Sequence, residues 1–245
     1  MRSIKFQLKI IGYSICIFLS ALSFTGCKKL FGLKLQENTE HETTTIDPHI
    51  YKTAWQFLKD RALGPATVPD DTIFKRMYQA VVYSGIDTNE YKKTGRTFIF
   101  LHNDAVMRYS SGTTVDTIGC YFGKYKVGTP RVPATKWEDY PKSQVLNYLL
   151  SLIVQGEHSF DNVFPDPKFE KTLLPPNTDP LNPESLIAFR VINDRDSRFR
   201  INDFPGSAVP TPNLASPGIQ ARTAGILSTN GPIHVIDRVL FYQKQ

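Results

Sequence analysis

Two segments in the first third of the chain carry apolar residues at helical spacing. The first stripe stops at Gly64 and predicts a helix. Its members are Tyr51, Trp55 and Leu58. The second stripe begins after Asp70 or Asp71, either of which can cap a helix, and it ends before Gly85. It is typical of a core face and consists of Ile73, Phe74, Met77, Tyr78, Val81 and Val82.

Apolar runs further along the chain predict buried strands. Thr97–Leu101 predicts a short strand by its apolar continuity. Asn103 or Asp104 can then cap a short helix that runs through Tyr109. Val145–Val154 predicts a helix that continues into a strand. The first helices of the chain therefore precede most of its strands.

Two hairpins are predicted in the last third of the chain. In Leu186–Asp203, apolar residues alternate on both sides of the turn residues NDRD. The dipeptide Asn230-Gly231 is the stronger signal, because both central residues of the favoured tight turn need positive φ. The last strand then runs from about Ile233 to Phe241, and aliphatic residues on both of its faces predict that it lies inside the fold.

The last strand also contains a histidine and an aspartate, His234 and Asp237. Side chains alternate along a strand, so two residues three positions apart point to opposite faces. The two side chains therefore cannot form a catalytic dyad unless a bulge intervenes. We expect both to be hydrogen-bonded into the frame of the fold.

The N-terminal segment has the organisation of a secretory signal. An apolar run from Ile10 to Phe24 follows three basic residues, Arg2, Lys5 and Lys9. The run is shorter than the roughly 20 residues that a helix needs to cross a bilayer, so a permanent membrane span is the weaker alternative. Residues 1–26 are therefore predicted to be a signal peptide.

The end of this run, Phe24-Thr25-Gly26-Cys27, resembles the lipobox of bacterial lipoproteins. In such boxes a cysteine that follows a small residue is lipidated and becomes the first residue. The resemblance implies that Cys27 carries a membrane anchor; an ordinary signal with a chance cysteine is the alternative. Residues 27–47 then form a polar, threonine-rich tether that spans roughly 25 Å.

Charge and cysteine content narrow the possible partners and the ways in which the fold can be stabilised. Removing residues 1–26 takes away three of the 29 basic residues and leaves 26 against 23 acidic ones, a net charge of +3. The nearest approach to a basic cluster is Gly123–Arg131, which a solvated loop explains equally well, so no nucleic-acid partner is expected. Cys16 leaves with the signal and Cys27 would carry lipid, which leaves Cys120 alone. A hydrophobic core must therefore hold residues 48–245 together as one domain.

Three segments resemble the fasciclin domain family. Ile226–Leu240, with the sequence ILSTNGPIHVIDRVL, is similar to the closing box of the family, and Thr97–Val106 is similar to its opening box. Leu149–Gly156 falls on a third segment, in which Ser151 and Leu152 replace the Tyr-His pair linked to integrin-type adhesion in animal members. The structural motif residues carried over by the resemblance are Asn230, Gly231, His234 and Asp237.

The resemblance covers roughly residues 51–242, with insertions near residues 110–140 and 165–217. It implies an α+β fold, a wedge-shaped β-sandwich with several α-helices packed on one side, and adhesion rather than catalysis. Bacterial lipoproteins with a single fasciclin-like domain, in the lineage that imports glycans through outer-membrane receptors, look most similar overall. The similarity to these lipoproteins implies that the chain is an outer membrane lipoprotein of the cell envelope.

The sequence offers few positions for catalysis. It has no Gly-x-Ser-x-Gly elbow. His102, His158 and His234 lack metal-ligand spacing among themselves. We therefore expect no enzyme activity, no catalytic residue, no metal and no cofactor.

The insertion near residues 110–140 is the candidate contact surface. It combines aromatic and cationic side chains, a mixture that suits stacking on sugar rings or contact with a protein. These residues are Tyr121, Tyr125, Lys126, Arg131 and Trp137. The alternative is that the aromatic rings only cover the core.

Two functions remain open on the sequence. One is a membrane-anchored, extracytoplasmic interaction module of the adhesion type that binds a protein or glycan partner. The other is a glycan-binding accessory lipoprotein of an outer-membrane polysaccharide uptake system. Both have the membrane as a partner, through the lipid anchor expected at Cys27.

Overall fold

The computed structural model describes residues 29–30, 33–34, 47–64, 71–205 and 218–240. The chain divides into two compact units, Met1–Ile46 and Asp47–Gln245. In the first unit, strands β1 (Lys29–Leu30) and β2 (Leu33–Lys34) pair antiparallel. No helix in these described ranges has the length and apolar character needed to cross a membrane. The predicted signal peptide and its following Cys27 lie outside the described residues.

The described part of the second unit contains α-helices and two 3₁₀ turns. The α-helices are α1 (Ala54–Leu63), α2 (Lys75–Ser84), α3 (Asn103–Val106), α4 (Tyr121–Lys124) and α5 (Lys142–Ser151). The 3₁₀ turns are Thr88–Tyr91 and Trp137–Asp139. The Thr53 side chain caps α1 by accepting a hydrogen bond from the Gln56 N–H at 3.2 Å. Gly85 ends α2 in the left-handed conformation, and its N–H donates to the Val81 oxygen.

The two predicted long helices are confirmed, but their ends differ from the prediction. Tyr51 precedes α1 and is 75% exposed, so it is not part of the helical face. Asp71 does not cap α2, because the helix starts at Lys75 and its N-cap residue is Phe74. Asp71 pairs with Arg61 at 2.8 Å, and Asp70 lies outside the described residues. Val82 is exposed on α2, since neighbouring residues of a helix point about 100° apart and cannot all face the core.

The short helix α3 starts and ends differently from the prediction. Its N-cap is His102, whose Nδ1 accepts a hydrogen bond from the Asp104 N–H at 3.2 Å. Asn103 is therefore the first residue of the helix rather than its cap. The helix ends at Val106, and Tyr109 begins a strand instead of extending the helix.

The strands that the structure describes in the second unit form two four-stranded sheets and a two-stranded ladder. The first sheet contains, from edge to edge, β11 (Thr223–Ser228), β12 (Gly231–Ile236), β3 (Arg96–Leu101) and β6 (Ile153–Gln155). The second sheet contains β10 (Ile219–Gln220), β9 (Phe199–Ile201), β8 (Leu186–Val191) and β7 (Lys168–Lys171). The ladder is β4 (Tyr109–Ser111) with β5 (Thr114–Val115).

The central pair of the first sheet, β12 with β3, is parallel, and the other strand pairs of both sheets are antiparallel. Every residue of β12 is buried, as is β3 from Thr97 onward. Strands buried on both faces appear in a sequence as continuous apolar runs, which explains why both were predictable. The predicted last strand is confirmed, although it ends at Ile236; Phe241 lies outside the described residues.

The second sheet contains the predicted hairpin. β8 and β9 are its two strands, with Val191 opposite Phe199. An isolated bridge between Val154 and Thr172 joins the end of β6 to the segment after β7, and thus the two sheets. The helices and sheets together confirm the α+β class.

Two groups of aromatic side chains fill much of the core. The first lies beside α1 and α2 and includes Phe74, Tyr91, Phe98 and Phe100. The second is built by the insertion and α5, and it includes Tyr121, Phe122, Tyr125, Trp137, Tyr140 and Tyr148. The insertion is therefore part of the core, because it supplies most of the rings of the second group.

Candidate functional site

Asn230 in the β11–β12 turn joins three parts of the fold. Its Oδ1 accepts a hydrogen bond from the Ala54 N–H at 2.8 Å, at the start of α1. Its Nδ2 donates to the Tyr91 oxygen at 3.1 Å and to the Lys93 oxygen at 3.0 Å. The side chain is buried, and its bonds to Ala54 and Tyr91 satisfy backbone groups inside the fold.

The turn around Asn230 differs from the predicted one. Ser228 pairs with Gly231, so the two central residues are Thr229 and Asn230, and neither has positive φ. Gly231 has a φ of 142° and opens β12. A Cβ atom there would lie 1.9 Å from the Arg96 oxygen, so the glycine permits the close approach of β12 to β3. The Asn-Gly dipeptide does mark the turn between β11 and β12, but glycine is needed there because β12 lies close to β3.

His234 is fully buried in β12 and both of its ring nitrogens are bonded. Nδ1 accepts from the Gly225 N–H at 3.2 Å, which leaves Nε2 to donate to the His158 oxygen at 2.8 Å. Burial lowers the pKa of His234 to about 4. The ring is therefore neutral at physiological pH.

His158 lies next to His234 and is also buried. Its Nε2 is 2.8 Å from the Gln155 oxygen, to which it donates, and its Nδ1 accepts from Lys168 Nζ at 3.3 Å. Its backbone N–H donates to the Thr97 hydroxyl at 2.8 Å. The pair of histidines is thus held by both main-chain and side-chain groups, an arrangement suited to fixing the positions of strands.

Asp237 follows the end of β12 and does not contact His234 through any described hydrogen bond. Its Oδ2 lies 3.8 Å from Arg222, and its main-chain oxygen lies 3.5 Å from Arg108 Nη1. The carboxylate is about one-third exposed, whereas the His234 ring is inaccessible. The expectation that the two side chains do not form a dyad agrees with this geometry.

Asp237 lines an open groove of about 390 Å³, which we call the arginine groove. Its cationic members come from β9, from the β10–β11 connection and from the segment after β12. These residues are Arg200, Arg222 and Arg238. Its apolar walls include Ile118, Ile219, Ala221 and Val239. The volume falls within the range of about 300 to 1,000 Å³ that is usual for small-ligand sites.

The three arginines of the groove differ in how far they are neutralised. Arg200 donates to Asp203 at 3.2 Å, a normal hydrogen-bond length. Arg222 Nη1 lies 3.5 Å from an Asp104 oxygen and 3.8 Å from an Asp237 oxygen, both of which are long. Arg238 is exposed and forms no ion pair with any residue that the structure describes.

Two glycines in the walls of the groove leave space for the charged side chains that pack against them. A Cβ atom on Gly119 would lie 2.1 Å from Arg108 Nη2, which is paired with Asp116 at 2.5 Å. A Cβ atom on Gly218 would lie 2.4 Å from the Asp203 side chain. Burial alone would raise the pKa of Asp116, but hydrogen bonds from Arg108 and from two backbone N–H groups hold it at about 2. The walls are therefore fixed by charge pairs that remain intact at neutral pH.

The insertion does not form the exposed aromatic surface expected from the sequence. Tyr121, Tyr125 and Trp137 are at most 3% exposed, and the Trp137 Nε1 donates to the Arg76 oxygen at 2.8 Å. These rings fill the second aromatic group, which agrees with the alternative that they cover the core, and they are not exposed for contact with a partner. The cationic members remain accessible, with Arg131 exposed and Lys126 partly so.

Sequence reasoning missed the arginine groove. Arg200, Arg222 and Arg238 are separated by 22 and 16 positions, and no local pattern joins them. The only sequence signal was Arg238 directly after the motif residue Asp237.

Within the described ranges, no group of three or more His, Cys, Asp or Glu residues is placed to hold a metal ion. Cys27 lies outside those ranges.

The chain is similar to a FAS1 domain pair from the insect cell adhesion molecule Fasciclin I, with 12% sequence identity and a TM-score of 0.39. The match covers 69% of this chain, and the chain spans 45% of that structure. No family model matches the chain, and no curated protein matches it.

Proposed function

We propose that this chain is a membrane-anchored, extracytoplasmic interaction module of the adhesion type, held at the outer membrane through Cys27. The order of a charged region, an apolar run, a small residue and Cys27 supports the anchor. A polar segment follows, and the second compact unit begins at Asp47. This order suits a domain that stands off a bilayer on a tether.

The proposed fold of the module is a fasciclin-like wedge, a β-sandwich with helices packed on one side. The closing-box sequence Ile226–Leu240 supports it. So does a contact between the sheets, in which the His234 ring from β12 stacks on the Phe199 ring from β9 at 3.9 Å between centroids.

The observation that favours binding over catalysis is the contrast between His234 and the arginine groove. His234 is fully buried with both ring nitrogens hydrogen-bonded, so it is not accessible as an acid or a base for a substrate. The groove, in contrast, presents Arg238 to solvent beside apolar walls. Charged donors next to apolar surface are suited to recognition.

A second candidate function is a glycan-binding accessory lipoprotein of a polysaccharide uptake system. The mixed lining of the arginine groove favours it, because guanidinium donors, the Asp237 acceptor and aliphatic walls together match the polar and apolar parts of a sugar. The first candidate function, adhesion, also allows a protein as the partner.

The anchoring part of the proposal is tested with Cys27→Ser in a bacterium that has an outer membrane. We expect wild-type protein in the detergent phase with an acylated N-terminal Cys27, and the variant either unprocessed or released. Cys16→Ser is the matched control, because Cys16 lies in the predicted signal and should not affect the mature anchor. Membrane retention of a correctly cleaved Cys27→Ser protein would contradict the proposal.

The interaction part is tested by chemical cross-linking on intact cells that produce the wild-type protein. We expect a discrete adduct with a partner protein, or retention of a glycan after washing. A protein that is anchored but yields neither would contradict a role in adhesion or in glycan uptake.

A further inference from the structure

The arginine groove brings together cations that the fold places from three separate segments. Arg200 lies on β9, Arg222 lies between β10 and β11, and Arg238 follows β12. Converging arginines repel one another unless carboxylates or a bound anion compensate their charge. The distribution of compensating carboxylates therefore identifies which arginines are available to a ligand.

Arg200 is held by a hydrogen bond of normal length within the protein. Asp203 accepts from it at 3.2 Å and also lies 3.6 Å from Arg190, and Gly218 closes against the Asp203 side chain. Only 23% of the Arg200 side chain is exposed. This arginine is therefore held in place and forms the fixed wall of the groove.

Arg222 and Arg238 are available in a way that Arg200 is not. The contacts of Arg222 with Asp104 and Asp237, at 3.5 and 3.8 Å, are longer than the 2.7 to 3.2 Å of a good hydrogen bond, and about half of its side chain is exposed. Arg238 is exposed and pairs with none of the described carboxylates. Together they offer guanidinium donors that suit bidentate binding of a carboxylate.

The other lining groups restrict the ligand further. Asp237 is a hydrogen-bond acceptor, so it favours a ligand that also carries hydroxyl donors. Inorganic sulfate or phosphate offers the arginines acceptor oxygens but no ring hydroxyls, whereas a sugar acid offers a carboxylate to the arginines and hydroxyl donors to Asp237. The aliphatic wall, with Ile118 at 74% exposure, suits the C–H face of a sugar ring.

We propose that the arginine groove binds a uronic acid unit of an acidic polysaccharide. Arg222 and Arg238 bind the uronate carboxylate, Asp237 accepts hydrogen bonds from ring hydroxyls, and Ile118 packs against the ring. This inference rests on the proposed glycan-binding function and specifies the chemical class of the glycan.

The test uses the full chain, purified in mild detergent, and calorimetric titration with trimers of galacturonate, mannuronate and glucuronate. Methyl-esterified trimers of the same sugars are the matched neutral probes. The variants are Arg222→Gln and Arg238→Gln, with Arg195→Gln as the control, because Arg195 is 94% exposed in the β8–β9 turn and lies outside the groove. A glutamate hexapeptide and inorganic sulfate complete the set of probes.

We expect at least one uronate trimer to bind, with an affinity that falls about tenfold or more in Arg222→Gln and Arg238→Gln and stays unchanged in Arg195→Gln. The esterified trimers and sulfate should bind at least tenfold more weakly than the acid. Each variant should fold normally, because none of the three substitutions alters a buried side chain. Circular dichroism checks this.

Three outcomes would overturn the inference. These are no binding of any uronate trimer, equal binding of the esterified trimers, and binding of the glutamate peptide as tight as that of the best trimer. The last result would assign the groove to an acidic peptide. If the cross-linking on intact cells still yields a partner, only this inference fails and the proposed function stands.

Discussion

The imidazole of His234 lies face to face with the ring of Phe199, with 3.9 Å between the ring centroids and 17° between their planes. His234 belongs to β12 of the first sheet and Phe199 to β9 of the second. The neutral imidazole is suited to this position, because a flat ring can stack while its two nitrogens bond to Gly225 and His158.

The stability of the protein should fall as the pH is lowered from about 6.5 to about 4. Burial lowers the pKa of His234 to about 4, so in this range the unfolded chain binds a proton that the folded protein does not. The expected loss is about 3 kcal/mol, complete near pH 4 and absent above pH 7. Urea titrations at several pH values measure it.

His234→Gln should remove most of this pH dependence, because the amide does not titrate. His102 is the matched control: burial lowers its pKa too, but its side chain is partly accessible. His102→Asn should therefore leave most of the decline in place. An equal decline in His234→Gln and in wild-type protein would exclude the buried imidazole as its source.

Asn230→Ala should lower the free energy of unfolding by about 3 kcal/mol. The substitution leaves the Ala54 N–H and the Tyr91 oxygen buried without their partner, and each such group costs about 1 to 3 kcal/mol. Asn89→Ala is the control, because the exposed Asn89 side chain contacts only Lys92 among its described hydrogen bonds. Equal urea midpoints for the two variants would refute the role assigned to Asn230.

Gly231→Ala should prevent normal folding or cost well over 3 kcal/mol, because the added Cβ atom would lie 1.9 Å from the Arg96 oxygen in β3. Gly95→Ala is the matched control. Gly95 also has positive φ, 69°, but a Cβ atom there meets nothing within 4 Å, so only about 1 kcal/mol is expected. Thermal melts compare the two variants, and similar midpoints would show that the clash is relieved at little cost.

Trp137→Ala should destabilise the fold by about 3 to 5 kcal/mol, because it removes a buried ring from the second aromatic group and leaves the Arg76 oxygen without its donor. Val132→Ala, in the same insertion but half exposed, should cost less than about 0.5 kcal/mol. Denaturant titration distinguishes the two. A stable Trp137→Ala protein would restore the interpretation of the insertion as a surface that is separate from the core.

Local patterns in the sequence determined much of the secondary structure. The α2 stripe and its glycine stop, the β8–β9 hairpin, and the buried strands β3 and β12 all follow from periodicity and turn chemistry. The ends of elements were less predictable. His102 rather than Asn103 caps α3, and Thr229 rather than Gly231 is central in the last turn, because caps and turns depend on a few atoms whose geometry is not periodic.

Tertiary structure alone decided what the residues of the candidate site do. Asn230 bonds to Ala54, 176 positions earlier, and the arginine groove gathers Arg222 and Arg238 from different strand ends. The burial of Trp137 was likewise undecided by the sequence, since an aromatic residue in an insertion suits a core and an interface equally. Local propensity is a property of neighbouring residues, whereas burial and charge compensation depend on which distant segments the sheet topology brings together.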